Sequence, residues 1–131
     1  MCGVLEAAGR AVTGYQPATI DVPIRDGDEL PFWGGLRVVH LPGHTLGHCG
    51  FHAASRDVLF TGDLWVRYLP RTQASPRIFS DDVSLLPASL RKARAIGASR
   101  IVPGHYDVPD ATRLRWRFEE LCAERERRPR V

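Results

Sequence analysis

Lysine is nearly absent from this chain. Lys92 is the only one, so the other basic residues among the 18 are arginines. The formal net charge of +3 and pI near 9.1 are thus an arginine effect, which reads first as a compositional habit and only second as a nucleic-acid footprint. Cysteine is scarce as well. Cys2, Cys49 and Cys122 are odd in number, far apart and without C-x-x-C spacing, which argues against a disulfide framework and against a cysteine zinc site. A reducing, cytoplasmic setting is the default expectation. Long hydrophobic runs are missing. Nothing approaches the ~18 apolar residues of a membrane span, and no charged segment leads into an apolar one as a secretory leader would. A soluble protein with no membrane partner is therefore expected. Internal repeats, low-complexity tracts and linkers are also absent, and no convincing nucleophile–base pair stands out.

What is present describes one ordinary globular domain over residues 1–131, with 44% apolar and 25% charged residues. The first expected element is a helix from Cys2 to Thr13, stopped at Gly14. Thr19 to Ile24 alternates as a strand, Asp26-Gly27-Asp28 signals a tight turn, and Glu29 to Phe32 would return. After Gly34-Gly35 comes a strand from Leu36 to Leu41. Cys49 to Ala54 and Val58 to Thr61 read as a hairpin turned at Ser55-Arg56-Asp57. From Trp65 to Ser80 the pattern is lost, which predicts a long loop, with Arg67 to Arg77 as the segment for substrate contact. Ser80-Asp81-Asp82 can cap a helix carrying Leu85, Leu86, Leu90, Ala93 and Ile96, with Pro87 in its first turn and Gly97 at its end. Ile101-Val102 is a short buried strand. A last helix runs from Asp110 to about Arg127, its inner face formed by Leu114, Phe118, Leu121 and Cys122.

Three short segments share one design: Pro42-Gly43-His44, Thr61-Gly62-Asp63 and Pro103-Gly104-His105. Each follows a β-like apolar run and sets a metal-capable side chain directly after a glycine, where a strand can turn sharply at the sheet edge. Imidazole, carboxylate and imidazole suit a borderline ion such as zinc. On the residues alone, a shared metal site and three unrelated turns both remain open. His48 lies close enough to this loop to support it. His52 is expected at the surface, and His40 is expected to pack.

The ordered set Pro42-Gly43-His44-Thr45-Leu46-Gly47-His48, Leu59-Phe60-Thr61-Gly62-Asp63 and Ile101-Val102-Pro103-Gly104-His105 resembles the metallo-β-lactamase superfamily. Asp26-Gly27-Asp28-Glu29-Leu30 ahead of Gly35-Leu36-Arg37-Val38-Val39 matches that family's approach to its Pro-Gly-His-Thr loop. The resemblance spans roughly residues 19–105. It implies an α/β (α+β) fold, a four-layer αββα sandwich. Of that sandwich this chain corresponds to the C-terminal half, one mostly antiparallel sheet with outer helices. It implies that His44 binds one zinc ion, Asp63 bridges two, and His105 binds the second, with Thr45 and His48 behind them. The implied chemistry is hydrolysis of an ester, thioester, lactam or phosphoester by a metal-bound hydroxide oriented by Asp63. Trp65, two residues past Asp63, and Tyr106 are candidates for the substrate pocket, although Trp65, like Trp33 and Trp116, is most simply a core or semi-buried aromatic.

The departure from the family pattern is equally plain. Its upstream H-x-H-x-D-H ligands have no counterpart, since all five histidines are His40, His44, His48, His52 and His105. Three expectations follow. The chain is a metallo-hydrolase completed by an N-terminal half, or a non-catalytic remnant that dimerises through its uncovered face, or a nucleic-acid-directed member using the arginines of the last helix. Glu119, Glu120, Glu124 and Glu126 interleave those arginines, which favours a solvated mixed-charge face over a nucleic-acid partner.

Overall fold

The computed structural model describes residues 19–68, 71–106 and 110–127, although the side chains of Tyr68, Arg71 and Tyr106 lie outside that description. The helix expected over Cys2 to Thr13 lies outside it too. Six strands form one sheet. β1 (Glu29–Leu30), β2 (Leu36–His40), β3 (Cys49–Ala53), β4 (Val58–Tyr68) and β5 (Arg71–Ala74) follow one another in order, and β6 (Arg100–Tyr106) also pairs with β4. All pairings are antiparallel except β4 with β6, which is parallel. Helix α1 (Leu86–Ala95) makes the crossover between β5 and β6, and α2 (Ala111–Arg127) follows β6.

The register sorts the side chains onto two faces. Arg37, His52, Leu59 and Ile101 lie side by side across β2, β3, β4 and β6. On this face Leu59 and Ile101 join Val39 and Leu41 in a core with Leu86, Leu90 and Ala93 of α1 and Leu114, Phe118, Leu121 and Cys122 of α2. The opposite row is Val38, Phe51, Phe60 and Val102, with the Trp33 ring against Phe60 at 5.9 Å between centroids. Period-two alternation places these two rows one residue apart.

Both helices match their apolar spacing. Pro87 stands in the first turn of α1, where a missing N–H costs nothing. Asp82 does not cap that helix. Its carboxylate accepts from the Ser84 amide at 2.9 Å and from the Ser84 hydroxyl instead. Asp110 does cap α2, accepting from the amides of Thr112 and Arg113 at 2.9 and 3.1 Å. Along α2, Arg115 pairs with Glu119 and Arg117 with Glu120, while Arg94 of α1 reaches Glu119 and Glu126. These arginines are engaged by carboxylates.

Two expected elements are corrected. Thr19 to Ile24 forms no strand. Its apolar Ile20, Val22 and Ile24 are exposed, and no strand among the described residues pairs with it to take up the alternation. The long loop from Trp65 to Ser80 is mostly a β4–β5 hairpin, with Trp65 opposite Ala74, Val66 opposite Gln73 and Arg67 opposite Thr72. Arg67 is only 8% exposed, so a charged residue on an inward face disguised the strand pattern.

Candidate metal centre

Three chain crossings build the site. The first is the turn after β2. Gly43 and His44 are held from outside: the amides of Asp81 and Asp82 donate to the carbonyls of His44 and Gly43 at 2.9 and 3.1 Å, and the Asp81 carboxylate accepts from Leu46 N–H at 3.0 Å. Within the turn the Thr45 carbonyl accepts from the amides of Gly43 and His48. Thr45 thus shapes the loop through its backbone.

The second crossing is a break in β4. Between Gly62 and Val66, β4 advances four residues while β6 advances two, from Pro103 to His105. The surplus residues bulge, and a bulge re-aims side chains that strict alternation would direct elsewhere. Gly62 has φ +52, and a β-carbon there would sit 2.7 Å from His48 Nε2. The absent side chain leaves His48 room to reach the next residue. His48 Nδ1 lies 2.9 Å from the Leu41 carbonyl, which can only accept, so Nδ1 carries the proton. Nε2 is then free to accept from the Asp63 amide at 3.0 Å. Burial pushes the His48 pKa below the ordinary imidazole value, with the Leu41 carbonyl opposing in part. His48 is thus a neutral pin beneath Asp63, with both ring nitrogens occupied.

The third crossing is β6. Gly104 passes so close to Asp63 that a β-carbon would meet its Oδ1 at 2.3 Å. The following residue, His105, lands beside the same carboxylate. The result brings together the three residues singled out by the glycine turns: His44 Nε2 lies 3.5 Å from Asp63 Oδ2, and His105 Nε2 lies 3.5 Å from Asp63 Oδ1. Neither separation is a hydrogen bond of ordinary length. Each carboxylate oxygen simply faces one imidazole. Among the described residues, no three His, Cys, Asp or Glu side chains are placed to hold one ion in common, consistent with two histidines that address opposite oxygens.

His44, Asp63 and His105 open onto a cavity of about 490 Å³, whose other walls are Val66, Gln73, Ser75, Pro76 and Phe79. Trp65 is not among them, so its pocket role is set aside and its simpler reading as a core aromatic holds. It is fully buried, packs on Phe118 at 5.6 Å between centroids, and donates its indole N–H to Thr61 Oγ1 at 2.9 Å. Past the β4 bulge, Val66 lines the cavity and Trp65 packs in the core. A buried indole needs a partner for its N–H, and Thr61, itself donating to the Val102 carbonyl at 3.1 Å, provides one. Tyr106 ends β6, and its expected pocket role falls on a side chain outside the description.

The other histidines separate cleanly. His40 does not line the cavity: its ring Nε2 lies 2.8 Å from the Leu46 carbonyl, and its amide donates to Asp26, which Lys92 also binds at 2.8 Å. The hydrogen bond from Lys92 is the main reason the Asp26 carboxyl lies below its usual range. His52 lines a separate hollow with Arg37 and Lys92. Sequence reasoning missed Ser75, whose Oγ lies 2.9 Å from His44 Nδ1. It had no signal beyond its place in an apparent loop.

The described residues thus form a single mixed α/β sheet with two helices packed on one face and paired imidazole–carboxylate contacts where strands end. The sequence profile of the metallo-beta-lactamase superfamily matches residues 3–105, and the chain belongs to that superfamily. Curated relatives include the hydroxyacylglutathione hydrolases of Rhodospirillum rubrum, 32% identical over 85% of this chain and 41% of theirs, and of Pseudomonas paraeruginosa, 32% identical over 93% of this chain and 52% of theirs. The chain spans from 38% to about half the length of the curated relatives it matches. Among solved structures, a metallo-beta-lactamase family protein of Thermus thermophilus is similar with a TM-score of 0.63 and 30% identity, over 84% of this chain and 36% of that one. An archaeal superfamily protein of Sulfolobus tokodaii shares the fold at a TM-score of 0.70 and 17% identity, over 99% of this chain and 53% of that one. A further neighbour, 25% identical with a TM-score of 0.63, covers 89% of this chain and 59% of its own and was solved in a di-iron-bound form. No helix among the described residues is long and apolar enough to cross a membrane.

Proposed function

We propose that this chain carries one half of a two-metal hydrolase centre, with His44 and Asp63 serving one ion and Asp63 and His105 the other. The observation that carries this reading is the Asp63 carboxylate, with one imidazole nitrogen 3.5 Å from each of its oxygens. The donor chemistry fits: two neutral imidazoles and a bridging carboxylate suit zinc or another first-row divalent ion. Gly104, closed against Asp63 Oδ1, keeps the carboxylate from turning away. When bound, such ions supply Lewis acidity and an activated water. The chain's own residues orient and enclose. His48 fixes the backbone at Asp63, Ser75 meets the far side of His44, and Val66, Pro76 and Phe79 give the cavity an apolar wall against which an acyl group can lie.

Two protein donors per ion fall short of the three or four that hold zinc tightly. We therefore assign the remaining ligands to a further segment, upstream in the same polypeptide or on another one, and weak metal binding and little turnover to these 131 residues alone. Similarity to hydroxyacylglutathione hydrolases favours an acyl thioester of that kind over a lactam or phosphoester. The test is metal analysis and hydroxyacylglutathione hydrolysis, with and without an added segment bearing H-x-H-x-D-H. Two ions per chain and full turnover without it would overturn the half-site reading. A second reading, a half-domain that pairs through the sheet face opposite the helices, rests on the half-buried apolar row Phe51, Phe60 and Val102 beside the buried Val38.

A further inference from the structure

Ser80, far from any proposed ligand in sequence, lies two hydrogen bonds from His44. His44 Nδ1 is 2.9 Å from Ser75 Oγ, Ser75 Oγ is 3.0 Å from Ser80 Oγ, and Ser80 Oγ is 2.8 Å from the Pro76 carbonyl oxygen. Ser75 is 4% exposed, so the middle of this chain has little recourse to water.

The direction of the chain follows from counting protons. Each hydroxyl has one to give, a neutral imidazole has one, and a carbonyl has none. The Pro76 carbonyl can only accept; it already takes the Phe79 amide at 3.0 Å, but only a Ser80 proton directed at it lets every contact of the chain be a hydrogen bond. Ser80 Oγ must then accept from Ser75, and Ser75, having spent its proton, must accept from His44 Nδ1–H. This arrangement satisfies all three protons. The reverse orientation would leave the Pro76 end without a donor from Ser80 or ask Ser80 for two protons.

We propose that Ser75 and Ser80 are positioning residues that set the tautomer of His44. The carbonyl of Pro76 polarises the chain so that the proton stays on Nδ1 and the Nε2 lone pair faces Asp63. An imidazole in water prefers no such arrangement by itself, and the opposite tautomer would point an N–H where an ion must bind. Metal-binding histidines are commonly fixed through their other nitrogen. The particular feature here is control from two residues away, by a serine that never touches the ring. The consequence for a metal rests on the reading given under Proposed function, whereas the tautomer itself does not.

The test uses the metal-free chain at about pH 8, above the ordinary imidazole value, and two-bond proton–nitrogen correlation spectra of its histidines. His44 should show the proton on Nδ1. Ser80→Ala frees the Ser75 proton to turn toward His44, so the spectrum should shift toward the Nε2–H tautomer, and Ser80→Thr should restore the original one. Zinc affinity, measured by competition with a chromophoric chelator, should fall about tenfold in Ser80→Ala and in Ser75→Ala and recover in Ser80→Thr. A wild-type His44 with its proton on Nε2, or a Ser80→Ala spectrum identical to wild type, would overturn the proposal. If the tautomers behave as stated but no variant binds zinc even with the H-x-H-x-D-H segment added, the serine chain stands and the metal reading fails instead.

Discussion

The pin beneath Asp63 makes a quantitative prediction about two residues that are distant in sequence. His48→Ala removes the acceptor for the Asp63 amide and the donor to the Leu41 carbonyl, bonds of 3.0 and 2.9 Å. Leaving partly dry polar groups unpaired costs roughly 1–3 kcal/mol each. Because His48 is only half-buried, about 2–4 kcal/mol in total is expected. Gly62→Ala acts on the same contact from the other side. Its β-carbon would stand 2.7 Å from His48 Nε2, an overpacking worth about 1–3 kcal/mol, and the φ of +52 adds about 1 kcal/mol for a residue with a side chain. In a His48→Ala background the overpacking disappears and only the backbone cost remains. The double variant should therefore be less destabilised than the sum of the singles, by about 1–3 kcal/mol. Urea denaturation of the metal-free protein, followed by tryptophan fluorescence, measures all four species. Additivity within about 0.5 kcal/mol would mean that Gly62 and His48 do not share a site, and the account of how Asp63 is aimed would fail.

Asp63→Ala should reduce metal uptake in equilibrium dialysis more than His48→Ala does, because Asp63 faces both imidazoles; equal losses would reverse the assignment of ligand and support. Burial pushes the Cys122 thiol up to about 11. The unfolded chain therefore releases that proton first, and stability should be level below about pH 9 and fall by up to about 3 kcal/mol as pH rises toward 11. Cys122→Ala should lack that component in pH-dependent denaturation. If the sheet face bearing Val38, Phe51, Phe60 and Val102 awaits a partner, light scattering should find dimers or larger species. A monodisperse monomer with cooperative unfolding would count against the half-domain reading.

Much of the site was legible because glycine leaves a local signature. A β-like run ending in glycine and a metal-capable residue recurs three times, and the fold brings all three products together at one carboxylate. The helices were legible for a similar reason. Leu90 and Ala93, or Leu114, Phe118 and Leu121, keep helical spacing, and each set is buried as one face. What spacing alone could not reveal was how the three strand ends meet. That depends on the parallel pairing of β4 with β6, a contact between segments about forty residues apart.

Most of what sequence reasoning missed around the site traces to the bulge in β4, with the buried Arg67 further disguising the strand beyond it. Strand patterns are read by alternation, and the two surplus residues after Gly62 break it. That break hid the continuation of β4, so the hairpin with β5 passed for a loop. Beyond the bulge, Trp65 packs in the core and Val66 lines the cavity. Ser75 became invisible for the same reason. Once its segment was read as loop, a serine there carried no expectation, although it sits one residue past β5 and beneath His44. The irregularity that defeats the pattern also delivers Asp63 to the edge, so the strand least readable by periodicity is the one that builds the site.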